Sequence, residues 1–534
     1  MKENNSSNNN QNNKSVHNNN NSINNHSHKK QLNSLNQYIN HSLDSSGFSR
    51  YSLLLFVTNA LFLFCEGMNE IIHIILLSMI DEKHNLSHYH LAFMNSIEYL
   101  GYSISTLLVT PITNYIKRKN VILICIFLSL LCTGLSITSF NFYFASFNRF
   151  ILGFCFGILN LLIYLNLFED LPTKIRGFVS TMILLFFPLG EFMLSLVCYF
   201  KLKEGEMEVN YKFMILIPFI FICIICLAAI FLQESPRDLF FGKHLYSQGV
   251  ESFRKISQFN RDNDSKNKFN FGEADIDNII NNRNIELRNI NPNNDNENNN
   301  NNLNNNIDNI ENIFDNNEFN GLIMNNSNSK TSKLNRFKLL FNSYYCKFTI
   351  LFWLVGSFSG FVFSGIHFML PATAPKISKQ TFLDLVLFES MEIPPNFFAM
   401  LLIENKGLGR IQTIRFGFII SFFISLTNIY LGETILLFDC LQKFSLAIPL
   451  NVLMVYCSEI YGSHVRTLGL SLMNFWRKVM SLLSPFFMSY ILYNYGEFHS
   501  HLCYTPLLFF CAFGSLFFDI ETRGKVLDEN IQIG

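Results

Sequence analysis

Twelve long apolar runs separated by short polar gaps fill most of the chain outside its Asn-rich tracts. They fall near residues 52–80, 90–109, 121–138, 144–168, 178–200 and 211–232, then 348–371, 382–403, 412–431, 434–457, 468–494 and 504–518. About 20 apolar residues coiled as helix cross the roughly 30 Å hydrocarbon core of a bilayer. The pattern therefore predicts an all-α membrane protein with 12 transmembrane helices. They divide into two six-helix bundles, residues 51–232 and 343–520. Residues 1–50 and 233–342 are rich in Asn and poor in apolar surface, so a disordered tail and a disordered linker are expected. Residues 521–534 form a second polar tail.

Basic residues set the orientation. With the amino terminus in the cytoplasm, that side receives Lys117, Arg118, Lys119, Lys174, Arg176, Lys406, Arg410, Arg466, Arg523 and Lys525. The opposite side keeps chiefly Lys83, Lys201, Lys203, Lys376 and Lys379. The positive-inside bias thus favours both tails and the linker in the cytoplasm, whether the membrane is that of the cell or of an organelle.

Composition adds little to this. The 58 Phe residues read as lipid-facing and packing material rather than as substrate recognition. Mean hydropathy is only +0.21 because the Asn tracts dilute the apolar runs. A formal net charge of zero gives no sign of a nucleic-acid partner. The 12 Cys lie mostly inside the apolar runs, with no metal-ligand spacing and no disulfide framework, so neither metal nor cofactor is expected. No basic segment precedes a short apolar one at the amino terminus, so the first span is expected to serve as the insertion signal.

A repeat organises the two bundles. The string Glu169-Asp-Leu-Pro172-Thr-Lys-Ile-Arg176-Gly177 returns as Glu459-Ile-Tyr-Gly-Ser-His-Val-Arg466, 290 positions later. Arg118 and Arg410 stand 292 apart, Arg149 and Lys443 294 apart. A near-constant offset marks a duplicated half.

These motifs resemble the major facilitator superfamily, in particular its branch of organic-ion transporters and synaptic-vesicle-2-related proteins. Glu169-x-x-Pro172-Thr-Lys-x-Arg176-Gly177 is similar to that branch's loop after helix 4, and Glu459-x-Tyr461-x-x-x-x-Arg466-x-x-Gly469 to its loop after helix 10. Gln233-Glu234-Ser235-Pro236-Arg237 resembles the P-E-S-P-R after helix 6, and Glu521-Thr522-Arg523-Gly524-Lys525-x-Leu527 the P-E-T-R-G-R-x-L after helix 12. Glu66-x-x-x-Glu70 is similar to an acidic pair in helix 1. The resemblance implies the major facilitator fold, with gating loops built on Arg118, Glu169, Arg176, Glu234, Arg237, Arg410, Glu459, Arg466, Glu521 and Arg523. It implies that Arg176 and Arg466 act as matched latches at the cytoplasmic gate.

The sequence also departs from the family. Thr110-x-x-x-Asn114-Tyr115-x-Lys117-Arg118-Lys119 lacks the Asp and both Gly of the loop after helix 2, leaving the lock that this loop provides lost or rebuilt. The glutamines of sugar porters are absent at Phe187–Glu191 and Ser359–Phe361, and the aspartate of phosphate carriers is absent from Gly157-Ile158-Leu159-Asn160.

Charges inside the bilayer locate the site. Each costs about 2.5–3.5 kcal/mol even on the lenient insertion scale, so each needs a partner or a task. The candidates for the solute and proton cavity are Glu66, Glu70, Glu98, Arg149, Glu191, Glu389, Glu392, Lys443 and Lys478, with Asp439 and Arg477 beside them. Helical rise places Glu70, Glu98 and Arg149 at one level, about 9–12 Å from the outer ends of their helices. Arg149 is expected to pair with Glu70 or Glu98, leaving another carboxylate to titrate. A static salt bridge between helices is the alternative. Lys443 either faces the cavity and favours an anionic solute, or neutralises Glu392 or Asp439. Of Arg477 and Lys478, Lys478 is expected to face inward.

The sequence thus predicts a monomeric secondary transporter of small organic solutes, anionic ones included, working by alternating access and driven by protons. No Walker loop or nucleophile arrangement points to an enzyme or a primary pump. A uniport facilitator and a non-transporting vesicle or surface receptor on the same fold are the other readings.

Overall fold

A computed structural model describes residues 39–524 apart from 42, 45–46, 85, 139–140, 202–206, 244, 261–336, 374–378 and 432–435. The first half contains α1 (Arg50–His84), α2 (His88–Tyr115), α3 (Arg118–Leu135), α4 (Phe142–Asp170), α5 (Arg176–Leu184), α6 (Phe186–Lys201) and α7 (Met207–Ala229). A short amphipathic helix, α8 (Tyr246–Asn260), follows. The second half contains α9 (Cys346–Thr373), α10 (Lys379–Ser390), α11 (Ile393–Glu404), α12 (Gly409–Leu431), α13 (Leu436–Ile460), α14 (Ser463–Tyr495) and α15 (Glu497–Ser515). Twelve spans result once α5 with α6, and α10 with α11, are each taken as one broken span. Nine of them, among the described residues, are long and apolar enough to cross a membrane. The more polar α2 and α14 and the shorter α15 complete the set.

Proline explains both breaks. It lacks an N–H, and its ring clashes with the carbonyl four residues back. Pro188 therefore ends α5 at Leu184, and Pro394 and Pro395 stand at the start of α11. Broken backbone is tolerated at membrane depth where it lines a cavity. Glu191, Glu389 and Glu392 all lie within a turn or so of a break.

Small residues set the closest crossings. A Cβ on Gly153 would lie 2.9 Å from the Glu98 backbone carbon, and one on Gly157 2.9 Å from the Tyr102 carbonyl oxygen. The Gly153-x-x-x-Gly157 stripe thus presses α4 onto α2 and brings Arg149 beside Glu98. Between the halves, α2 runs along α14, α6 meets α10, and α5 meets α11. Large side chains such as Phe127, Phe147, Phe200 and Phe423 point outward, as a lipid-facing surface requires.

The linker departs from the sequence expectation at its start. Residues 246–260 are helix rather than disordered chain. Val250, Phe253 and Ile256 make a stripe at helical spacing, and Ile256 is buried. Tyr51 N–H donates to Asn260 Oδ1 at 2.9 Å, and the rings of Tyr51 and Phe259 meet edge to face. Residues 39–41 and 43–44 of the expected tail are likewise partly packed: Ile39 is buried with Phe240, and Arg237 donates to Asn40. Residues 1–38, 261–336 and 525–534 lie outside the described residues.

Candidate functional site

Helices from both halves surround a central cavity of about 160 Å³. Five carboxylates line it, from Glu66, Glu70, Glu191, Glu389 and Glu392. Two bases face them, Arg477 and Lys478. Both neighbours on α14 therefore reach the cavity, whereas the sequence expectation admitted only Lys478. Lys478 Nζ sits 4.0 Å over the Tyr102 ring and 4.9 Å from that of Tyr99. No carboxylate lies within 4 Å of either base among the described residues.

Two of the expected cavity charges, Arg149 and Glu98, stand behind the wall instead. Arg149 Nη1 lies 3.6 Å from Glu98 Oε2 and donates to the Asn69 carbonyl at 3.1 Å. Both side chains are almost wholly buried. Glu66 Oε2 accepts from Asn160 Nδ2 at 2.9 Å. Glu70 remains on the wall with no hydrogen bond or ion pair to a described residue. Of the two pairings left open by the sequence, Arg149 takes Glu98 and leaves Glu70.

Lys443 also lies behind the wall. Its ammonium contacts Glu389, stands 3.3 Å from Glu392 and 4.0 Å from Glu191, and rides 4.3 Å over the Phe388 ring. Three carboxylates engage one base, so Lys443 presents no free cation to an anionic solute. Asp439 pairs instead with His501, at 3.6 Å. Two histidines that the sequence reading passed over, His73 and His367, also line the cavity. The signal was present, since each is a titratable side chain within an apolar helix.

The repeated motifs meet at one end of the molecule. Glu169 Oε2 accepts from Arg118 Nη1 at 3.2 Å, and Glu169 Oε1 lies 3.5 Å from Arg466 Nη1 across the two halves. Arg118 Nη2 also donates to Asp238 at 2.7 Å and to Thr467 at 2.8 Å. Asp238, just past the sixth span, thus gives Arg118 a carboxylate partner where the loop after the second span has no acid. In the second half, Arg410 grips Glu459 with two bonds of 3.1 Å. Glu521 accepts from the backbone N–H groups of Arg410 and Ile411 at 3.1 Å each, and Glu234 from that of Lys119 at 2.9 Å. Each acid caps the start of a helix, where unpaired N–H groups and the helix dipole favour negative charge. Arg523 lies 4.0 Å from Glu404.

The seven-residue Glu–Arg frame does not close on itself. Each arginine instead caps the end of the preceding helix: Arg176 donates to the Leu171 carbonyl at 3.0 Å, Arg466 to those of Ser458 and Tyr461 at 3.0 and 3.1 Å. Both guanidiniums flank the Phe168 ring, at 5.4 and 5.5 Å. Among the described residues only Arg466 of the two also reaches a carboxylate, that of Glu169, because Glu459 is already held by Arg410. The matched latches of the sequence reading are unequal in the structure.

The opposite end is joined differently. Ser489 Oγ donates to the His88 carbonyl at 3.3 Å, the His88 and Tyr493 rings lie 4.9 Å apart, and Phe382 and Leu385 enter the apolar cluster of α1 and α6.

Comparison with known proteins agrees with this architecture. The Major Facilitator Superfamily profile matches residues 60–485, and the chain belongs to that superfamily, as an integral multi-pass membrane protein. Its likeness to curated proteins falls in the synaptic-vesicle-2-related branch. It is 29% identical over 151 residues to "Putative transporter SVOPL" of Danio rerio, covering 28% of each protein. It is 27% identical over 158 residues to "Synaptic vesicle 2-related protein" of Rattus norvegicus, covering 29% of this chain and 28% of that protein. The matches therefore span little more than a quarter of those relatives. Among solved structures, the proton:xylose symporter XylE bound to 6-bromo-6-deoxy-D-glucose superposes with a TM-score of 0.63 at 16% identity, over 92% of this chain and 98% of that one. At that identity the likeness is one of fold.

Proposed function

We propose that this chain is a secondary transporter that moves small organic solutes by alternating access, with protons as the coupling ion. The observation that carries the reading is the charged cavity walled by both halves and bounded at both ends by contacts between them. A solute held there is exposed to one side only when the contacts at that end part. The resemblance to the synaptic-vesicle-2-related branch and the fold shared with a proton:xylose symporter support the same reading.

Glu70 is the proposed proton carrier, since it faces the cavity and Arg149 is spent on Glu98. An anionic group on the solute would meet Arg477 and Lys478, not Lys443. The bases gathered near the motif end support a cytoplasmic placement of that end and of both tails.

Proteoliposome uptake over a panel of organic acids, amines and neutral metabolites tests this. An inward proton gradient is expected to accelerate uptake of at least one solute. Glu70→Gln is expected to remove the acceleration while solute counterflow continues. Flux indifferent to the gradient in the unmodified protein eliminates proton coupling. Absence of flux throughout the panel eliminates transport and leaves a receptor on the same fold.

A further inference from the structure

We propose that Glu191, His367 and Glu389 form a binding site for a first-row divalent metal ion on the cavity wall. The proposal goes beyond the transport reading and stands apart from it, because binding is measured without flux. One ligand atom from each of the three side chains lies within 4.8 Å of the other two. A metal about 2.0–2.2 Å from imidazole nitrogen and carboxylate oxygen sets its ligands roughly 3–4 Å apart. Small rotamer adjustments close that difference. The ligands come from α6, α9 and α10, so the ion would join the two halves across the cavity.

A second observation points to a ligand here. Glu191 is 1% exposed, yet its Oε2 has no hydrogen-bond partner, and Nε2 of His367 has none either. Both side chains face the cavity. Lys443, 4.0 Å from the Glu191 oxygen, is too far for a hydrogen bond, and an ion seated between the two side chains would satisfy both atoms.

The charge of the region matches a dication. Glu191, Glu389 and Glu392 gather around the single ammonium of Lys443, a formal excess of two negative charges. Lys443 approaches from behind the wall, which leaves the cavity-facing side open to an incoming ion. Mixed imidazole and carboxylate donors suit zinc, iron or manganese rather than calcium or magnesium. No spacing rule could find this site in the sequence, because its ligands are spread from 191 to 389 over three helices.

The experiment is calorimetric titration of the purified full-length protein with Mn²⁺ alone, a probe that the 12 soft thiols bind poorly. One saturable site is expected. Glu191→Gln and His367→Phe are each expected to weaken it by about tenfold or more. His367→Phe keeps an aromatic ring against Phe363 and Phe388 and decides the matter if Glu191→Gln fails to fold. Lys443→Met is expected to tighten binding, since it removes the competing cation. The proposal falls if Mn²⁺ does not bind, or if His367→Phe binds it with unmodified affinity.

Discussion

At the scale of single residues, the motif end turns on Glu169. One buried carboxylate there serves Arg118 from its own half and Arg466 from the other. Removing one member of such a buried set costs about 3–5 kcal/mol, because the charge left behind has neither water nor partner. Arg176 has less at stake, since it donates to a carbonyl and packs on a ring. The two motif arginines should therefore differ in consequence. Arg466→Ala is expected to loosen the closed motif end and slow solute exchange by about an order of magnitude or more. Solute affinity, set in the cavity, is expected to stay within about twofold, and Arg176→Ala to slow exchange far less. Exchange rates and equilibrium binding in reconstituted protein provide the check. A loss in Arg176→Ala equal to that in Arg466→Ala would show that the cross-half ion pair does not govern closure.

At the scale of elements, the two broken spans carry three of the five cavity carboxylates. A break frees backbone carbonyls and changes the direction in which the following turn presents its side chains. Asn396 Nδ2 answers one such carbonyl, that of Glu392, at 2.7 Å. Pro188→Ala is expected to let α5 run on into α6, since proline inside a helix costs about 3 kcal/mol or more. Thermal stability should hold or rise while uptake falls, as Glu191 turns away from Lys443. Full uptake by a variant of unchanged or higher stability would remove the functional role of the break. The spans themselves were legible in the sequence because lipid tolerates only long apolar helices. Depth narrowed the partner of Arg149 to Glu70 or Glu98 in the sequence, and only the packing of α4 on α2 at Gly153 and Gly157 decides for Glu98. The helix at 246–260 was hidden by the Asn-rich chain around it, although Val250, Phe253 and Ile256 carry its period. Asp238, 120 residues beyond Arg118, and the cage around Lys443 left no such trace. Contacts between separate spans have no period in the sequence, and only packing brings them together.

At the scale of the whole molecule, the duplicated halves keep the same grammar with different partners. Arg118 and Glu169 mirror Arg410 and Glu459, and Glu234 mirrors Glu521 as a helix cap. The interface between the halves, by contrast, is polar and ionic at the motif end and largely apolar at the other. Carriers that rock about a fixed central site must open these two ends in turn, so fixing either end shut should stop the cycle. Thr110 and Ser471 join α2 to α14 at the motif end, their side-chain oxygens 3.3 Å apart. Cysteine sulfurs would occupy nearly the places of those two oxygens. His88 and Tyr493 occupy the corresponding place at the opposite end. In a background freed of reactive native thiols, a Thr110→Cys/Ser471→Cys disulfide is expected to abolish uptake, with full recovery on reduction. A short bifunctional thiol reagent across His88→Cys/Tyr493→Cys is expected to do the same. Solute binding should survive in whichever bridged form leaves the cavity open to the added solute. Sustained uptake with either bridge in place would mean that the halves need not part at that end, and alternating access would fail with it.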